Sequence, residues 1–167
     1  MNILHTSDWH FGKQLEGNSR IQEQKAFAKE LYDICEKENI DLILLAGDVF
    51  DNGNPSAQAE ELFYKTAKKL CKNGTRPLIA IAGNHDSAER LTAPDTLAYD
   101  HGLILLGTPK SQALCGKYAG YEIVKSGEGF LELKIKEEHI VVLTMAYPSE
   151  KRLNELVSED IEEEQRQ

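Results

Sequence analysis

The sequence predicts an α/β fold, a parallel βαβ half followed by antiparallel strands. Three observations carry this. Continuous apolar runs, "DLILLAG", "RPLIAIAG" and "LILLG", alternate with segments whose apolar residues recur at helical spacing. Strands that are apolar throughout belong to a sheet covered on both faces. After Gly107 the pattern changes to short strands separated by tight turns.

"MNILHTS" reads as a buried first strand. "SRIQEQKAFAKELYDICEKENI" reads as a helix, with Phe27, Leu31, Ile34 and Cys35 on one face and a Ser19–Gln22 capping box at its start. "DLILLAG" is the second strand. "PSAQAEELFYKTAKKLC" is the second helix, its core face formed by Ala59, Leu62, Phe63, Ala67 and Leu70, with Pro55 near its start. "RPLIAIAG" is the third strand. "SAERLTAPDTLAYDHG" is helical but interrupted near Pro94. "LILLG" is a fourth strand. "YEIV", "GFLELKIK" and "HIVVLTMAY" then form an antiparallel meander around the turns "KSGEG" and "KEEH", and "SEKRLNELV" begins another helix.

The chain has 167 residues, enough for one domain with a sizeable core. It has no apolar run of membrane-spanning length, and "MNILHTSDW" lacks the features of a secretory signal, so a cytoplasmic location is expected. Cys35, Cys71 and Cys115 are widely spaced and odd in number, and read as small buried hydrophobes. The net charge is −9. Of this, −5 falls in residues 136–167, where "SEDIEEEQRQ" (158–167) reads as an acidic helix end or linker. Overall acidity argues against non-specific attraction to nucleic acid, but a local site holding metal ions can still bind phosphates.

Three strands end in polar residues of one kind: "TSDWH", "LLAGDVFD" and "IAGNHDS". In a parallel sheet the carboxyl ends of the strands share one edge, where ligands bind. Asp8, His10, Asp48, Asn84 and His85 are therefore expected to converge. Their donors are oxygen and imidazole nitrogen without thiolate, which suits manganese, iron or zinc. Asp48 has two oxygens and can bridge two ions. Asn84 offers only an amide oxygen, which spares His85 for a role near the leaving oxygen. Gly47 and Gly83 permit sharp turns at the strand ends. A lone D-x-H is weak and G-D after a strand is a common turn; the joint occurrence, in this order, is the strong signal. His5 lies inside the first strand and reads as structural.

"SDWHFG", "LLAGDVFD" and "AGNHDS" resemble the first three motifs of the calcineurin-like metallophosphoesterases, D-x-H, G-D-x-x-D and G-N-H-D/E. "ILHTSDWHFGK", "GDVFDNGNPS", "GNHDSAERL" and "YPSEKRLNEL" are similar to the bacterial double-strand-break-repair nucleases within that superfamily. The resemblance implies a metallophosphoesterase sandwich and a nuclease with two divalent ions, manganese first, with magnesium, iron or zinc as alternatives. It also implies a homodimer working on DNA with an SbcC-type coiled-coil ATPase. Carried over, Asp8 and His10 hold the first metal, Asp48 bridges, Asn84 holds the second, and His85 assists catalysis. The family's later G-H and G-H-x-H motifs do not occur; only His101 and His139 follow His85, and both read as ordinary turn or surface residues. Residues 1–167 are thus expected to be the N-terminal part of one nuclease domain, truncated before the last metal motifs, with the ATPase-binding segment beyond Gln167.

DNA phosphates are expected to meet Lys13, Gln14, Asn18, Asn52, Asn54, Ser87 and Arg90, which follow the three motifs. Dimerisation is expected through the helices near 56–72 and 88–100, where Tyr64, Leu91, Leu97 and Tyr99 cannot all be buried. Two other functions stay open. One is a general phosphomonoesterase or phosphodiesterase on the same fold. The other is a non-catalytic dimerisation module.

Overall fold

The apolar runs are continuous because their alternate residues serve two different cores. In the computed structural model, which describes residues 1–149, β1 (Ile3–Thr6) is followed by a small hairpin of β2 (Gln14–Leu15) and β3 (Asn18–Ser19). Then come α1 (Ile21–Lys37), β4 (Leu42–Ala46), α2 (Ala57–Leu70) and β5 (Leu78–Ile81). α3 (Ala88–Thr92), α4 (Asp95–Ala98) and a 3-10 turn at Tyr99–His101 lead to β6 (Leu103–Leu106). The remaining strands are β7 (Gly116–Lys117), β8 (Tyr121–Gly127), β9 (Phe130–Ile135) and β10 (Glu138–Leu143). The helix expected over 149–157 and the acidic end at 158–167 lie outside the described residues, apart from Ser149.

β1, β4, β5 and β6 form a parallel sheet in that order, and β10-β9-β8-β7 form an antiparallel one. On β4 to β6, Ile43, Leu45, Leu78, Ala80, Leu103 and Leu105 belong to the core that also contains Phe63, Ala67 and Leu70 of α2. Their neighbours Leu42, Ile79, Ile104 and Leu106 belong to a second core with Ile123, Leu131, Leu133 and Ile135 of the antiparallel sheet. The two sheets form the expected sandwich, with helices on the outer face of the parallel one.

Several local readings change. Among the described residues β1 lies at the edge of the parallel sheet with His5 and Ile3 exposed, so it is not buried on both faces. The capping box at Ser19 does not form: Ser19 is held in the hairpin opposite Gln14, its hydroxyl accepts from the Ile21 N–H at 3.3 Å, and Arg20 is the N-cap without a side-chain bond. On α1, Leu31 and Cys35 are buried, whereas Phe27 and Ile34 are partly in solvent. Ser56 caps α2, its hydroxyl accepting from the Ala59 N–H at 3.3 Å. Leu91 and Tyr99 are both buried and Tyr64 is half-buried, which removes Leu91 and Tyr99 from the expected dimer patch and leaves Leu97, 71% exposed. Cys35 and Cys71 are buried, but Cys115 is exposed. Burial pushes the Cys71 thiol up to about 12, so it stays protonated and unreactive.

The third meander strand ends sooner than "HIVVLTMAY" suggests. After Leu143 the chain leaves β9, and the Tyr147 N–H donates to the Ala82 carbonyl at 2.9 Å. This carries Met145, Tyr147 and Pro148 to the carboxyl edge of the parallel sheet. Among the described residues, no helix is long and apolar enough to cross a membrane.

Candidate metal centre

Three loops leave the carboxyl ends of β1, β4 and β5 and are tied together by their backbones. The Asp8 N–H donates to the Gly47 carbonyl at 3.1 Å, His10 to Asp48 at 3.0 Å, and Phe11 to Val49 at 3.0 Å. Asp8, His10 and Asp48 all adopt positive φ, at 57°, 44° and 50°. Aspartate and histidine tolerate this left-handed region better than most residues, and such conformations gather at functional sites. The turns come close enough to exclude a side chain: a Cβ on Gly83 would lie 2.0 Å from Asp48 Oδ1.

The loops bring Asp8, His10 and Asp48 together, with one ligand atom of each lying within 4.8 Å of the others. His10 Nε2 is 3.7 Å from Asp8 Oδ1 and 3.9 Å from Asp48 Oδ2. Asp48 is 9% exposed, while Asp8 and Asn84 are exposed. Asn84 lines a cavity of about 270 Å³ together with Asp8 and Asp48, and Tyr147 and Pro148 complete its wall. Two carboxylates, an imidazole and an amide around an open cleft form an oxygen-and-nitrogen donor set that fits a divalent ion. The buried His10 Nδ1 supports the fit. It finds no hydrogen bond, and it lies 3.7 Å from Asp51 Oδ1. A histidine that ligates through Nε2 needs its other N–H held by an acceptor. His10, Asp51 and His85 also lie within 4.8 Å of one another. Asp51 Oδ1 faces the other nitrogen of His10 from 3.7 Å, beyond hydrogen-bond distance.

His85 is placed by two main-chain bonds. Its N–H donates to Asp48 Oδ1 at 3.0 Å, and its Nδ1 lies 2.7 Å from the Asp51 carbonyl. A carbonyl only accepts, so Nδ1 carries the proton there and Nε2 remains for exchange with a substrate. Its ring meets that of His10 edge-on at 4.9 Å.

Sequence reasoning missed three contributors. Asp51 was visible as the second aspartate of "GDVFD". Asp86 is 4% exposed; its Oδ2 accepts from the N–H groups of Gly83 (2.8 Å) and Val49 (3.1 Å), and its Oδ1 from that of Phe50 (2.9 Å). Gln24 reaches from α1 to donate to the His10 carbonyl at 2.8 Å and accept from the Gly12 N–H at 3.1 Å. Asp86 stands in the quoted "GNHD" but was given no role, and nothing local marked Gln24, because the partners of both come from other loops.

The expected phosphate contacts are scattered around this cleft. Lys13 lies beside it, its Nζ 3.9 Å from Asp51 Oδ1. Gln14 and Asn18 are exposed on the hairpin. The Asn52 amide oxygen accepts from the Asn54 N–H, and the Ser87 hydroxyl caps α3 by accepting from the Arg90 N–H, so both have structural partners. Arg90 faces Glu60 at 3.5 Å.

A family profile described as calcineurin-like phosphoesterase matches residues 1–164. The chain is 42% identical over 163 residues to the SbcD component of the SbcCD nuclease of Bacillus subtilis, a match covering 98% of this chain and 38% of that protein. It is 43% identical over 109 residues to the protein of the same name from Rhodobacter capsulatus, covering 65% and 27%. To that from Escherichia coli K12 it is 40% identical over 100 residues, covering 59% and 25%. The chain thus spans less than two-fifths of the length of these curated relatives.

Proposed function

The chain belongs to the calcineurin-like phosphoesterase family, and from that premise we propose that it carries the first half of the metal centre of an SbcD-like DNA nuclease. The observation that carries the reading is the meeting of Asp8, His10 and Asp48 at the strand ends. The shared name of the relatives, a nuclease component, supports DNA as the substrate. On this reading Asp8 and His10 hold one divalent ion, Asp48 is shared, and Asn84 faces a second, with manganese the first choice. Residues 1–167 are the N-terminal part of the nuclease domain. DNA, an SbcC-type ATPase and a second copy of the chain are the partners, the dimer contact centring on Leu97.

When bound, such a pair of ions supplies an activated water and neutralises phosphodiester charge. The protein supplies placement. Asp86 locks the second loop onto the third, and Gln24 clamps the first to α1, so the donors are arranged before substrate arrives. His85, with its Nδ1–H held by the Asp51 carbonyl, presents Nε2 toward the leaving oxygen; it gives that oxygen a proton when the ring enters the step as the imidazolium, and regains it from solvent. Lys13 at the cleft edge offers a phosphate oxygen its ammonium. The test uses the full-length protein with manganese. Linear duplex DNA should be cut, and a small phosphomonoester should be a much poorer substrate. Efficient hydrolysis of the monoester with intact DNA would instead favour a general phosphatase.

A further inference from the structure

We propose that the cavity between the first metal loop and α1 is a nucleotide subsite, taking the base and sugar of a DNA strand that crosses the metal centre. The inference deepens the nuclease reading and rests on it. The cavity has a volume of about 320 Å³, and Asp8 and His10 are among its lining residues, so it adjoins the candidate ligands. That volume is at the lower end of small-ligand pockets, suited to a single nucleoside.

Its walls fit such an occupant. Trp9 and Phe27 form the apolar side, their rings 6.0 Å apart and edge-on. The helical spacing of α1 places Phe27 with the core residues, yet it is 37% exposed. A half-open aromatic beside a phosphate-processing centre is a stacking platform, because every base has a π-face. Lys13 and Arg20 line the same cavity, each about half exposed, with Asp51 and Glu23 as their respective carboxylate neighbours. These exposed pairs can re-partner to phosphate at little cost, since such surface ion pairs are individually weak. Gln24 closes the wall with its amide already bonded to the backbone of His10 and Gly12. No free carboxamide is then aimed at a base edge, and stacking without a hydrogen-bond code predicts a site tolerant of sequence.

Trp9 is the single tryptophan of the chain and lines the cavity, so its fluorescence reports occupancy. The experiment titrates the 167-residue chain at low salt with a short oligothymidylate and with an abasic oligomer of equal length and charge. Each titration is run once with magnesium and once with EDTA. The base-bearing strand should quench Trp9 saturably and bind at least about 10-fold more tightly than the abasic one. Phe27→Leu, which keeps apolar bulk but removes the ring, should erase that preference, and Phe27→Tyr should retain it. Equal binding of the two strands, or an unchanged preference in Phe27→Leu with native circular dichroism, would overturn the subsite. Magnesium should tighten both strands alike. A base preference that persists while magnesium changes nothing would count against the metal centre and leave the subsite standing.

Discussion

Asp86 is no ligand in this reading, yet three backbone donors from two loops converge on its buried carboxylate. An asparagine there has one acceptor oxygen, and its NH₂ would confront an N–H group. Asp86→Asn should therefore cost about 1–3 kcal/mol in urea unfolding, the penalty of stranding a buried donor. It should also weaken manganese binding in a calorimetric titration, because Asp48 and His85 would lose their common frame. Asp48 and His85 should separate by role. In the full-length protein, Asp48→Ala is expected to abolish cleavage and lower metal content by elemental analysis. His85→Leu should keep the metal and slow cleavage by about 100- to 10,000-fold. A metal-free His85→Leu protein would reverse that assignment. The convergence of Asp8, His10 and Asp48 was legible because each ends a strand whose direction the βαβ pattern fixes. Asp51 and Asp86 stand in the quoted motifs "GDVFD" and "GNHD", but their work, and Gln24 altogether, was not read, since it depends on which loop lies opposite, and no local spacing encodes that.

Among the elements, the helices and central strands could be read from periodicity, whereas the β2–β3 hairpin was overlooked. Its turn residues Glu16 and Gly17 have φ of 50° and 78°, as a two-residue hairpin turn of this hand requires. Glutamate in the first of these positions hid the signal, and the same hairpin displaced the capping box at Ser19. The segment 88–101 broke at Pro94 as expected, and its buried residues divide between the cores: Leu91 and Ala98 pack under the helices and Tyr99 between the sheets. Further from the site, α1 is fastened to the loop after α2 through Glu36. Lys72 at 2.8 Å and Arg76 at 2.8 Å hold its carboxyl below the usual carboxylate range, and Arg76 is itself buried. A depressed carboxylate stabilises the fold above its unfolded pKa and loses that contribution as pH falls through the lower folded value. Thermal melts should thus show the stability of the unmodified protein falling from about pH 4.3 downward. Glu36→Gln should melt a few degrees lower at pH 7 and lose less on acidification. Parallel curves for the two proteins would remove Glu36 from this role.

At the scale of the whole molecule, the layered fold was legible because β4, β5 and β6 are apolar on both faces, one face for each core. The edge position of β1 was not, since "MNILH" reads the same in the middle of a sheet as at its margin. At the opposite layer, β10 sends Ile140 and Val142 inward and leaves Val141 and Leu143 on the outside, Leu143 at 82% exposure. The strand has β9 on one side and, among the described residues, no further strand beyond it. A row of unpaired backbone groups flanked by an apolar ribbon is a template for pairing with another chain. Opposing it is the charge of −9, which keeps copies apart over a screening length of about 10 Å at 0.1 M salt but only about 3 Å at 1 M. The 167-residue protein should accordingly behave as a charge-stabilised colloid with a sticky seam. Light scattering should report growing particles as sodium chloride is raised at constant protein concentration, and Leu143→Lys should hold the solution clear by placing a cation on the seam. Scattering that stays flat with salt would mean that the ribbon is too small to matter.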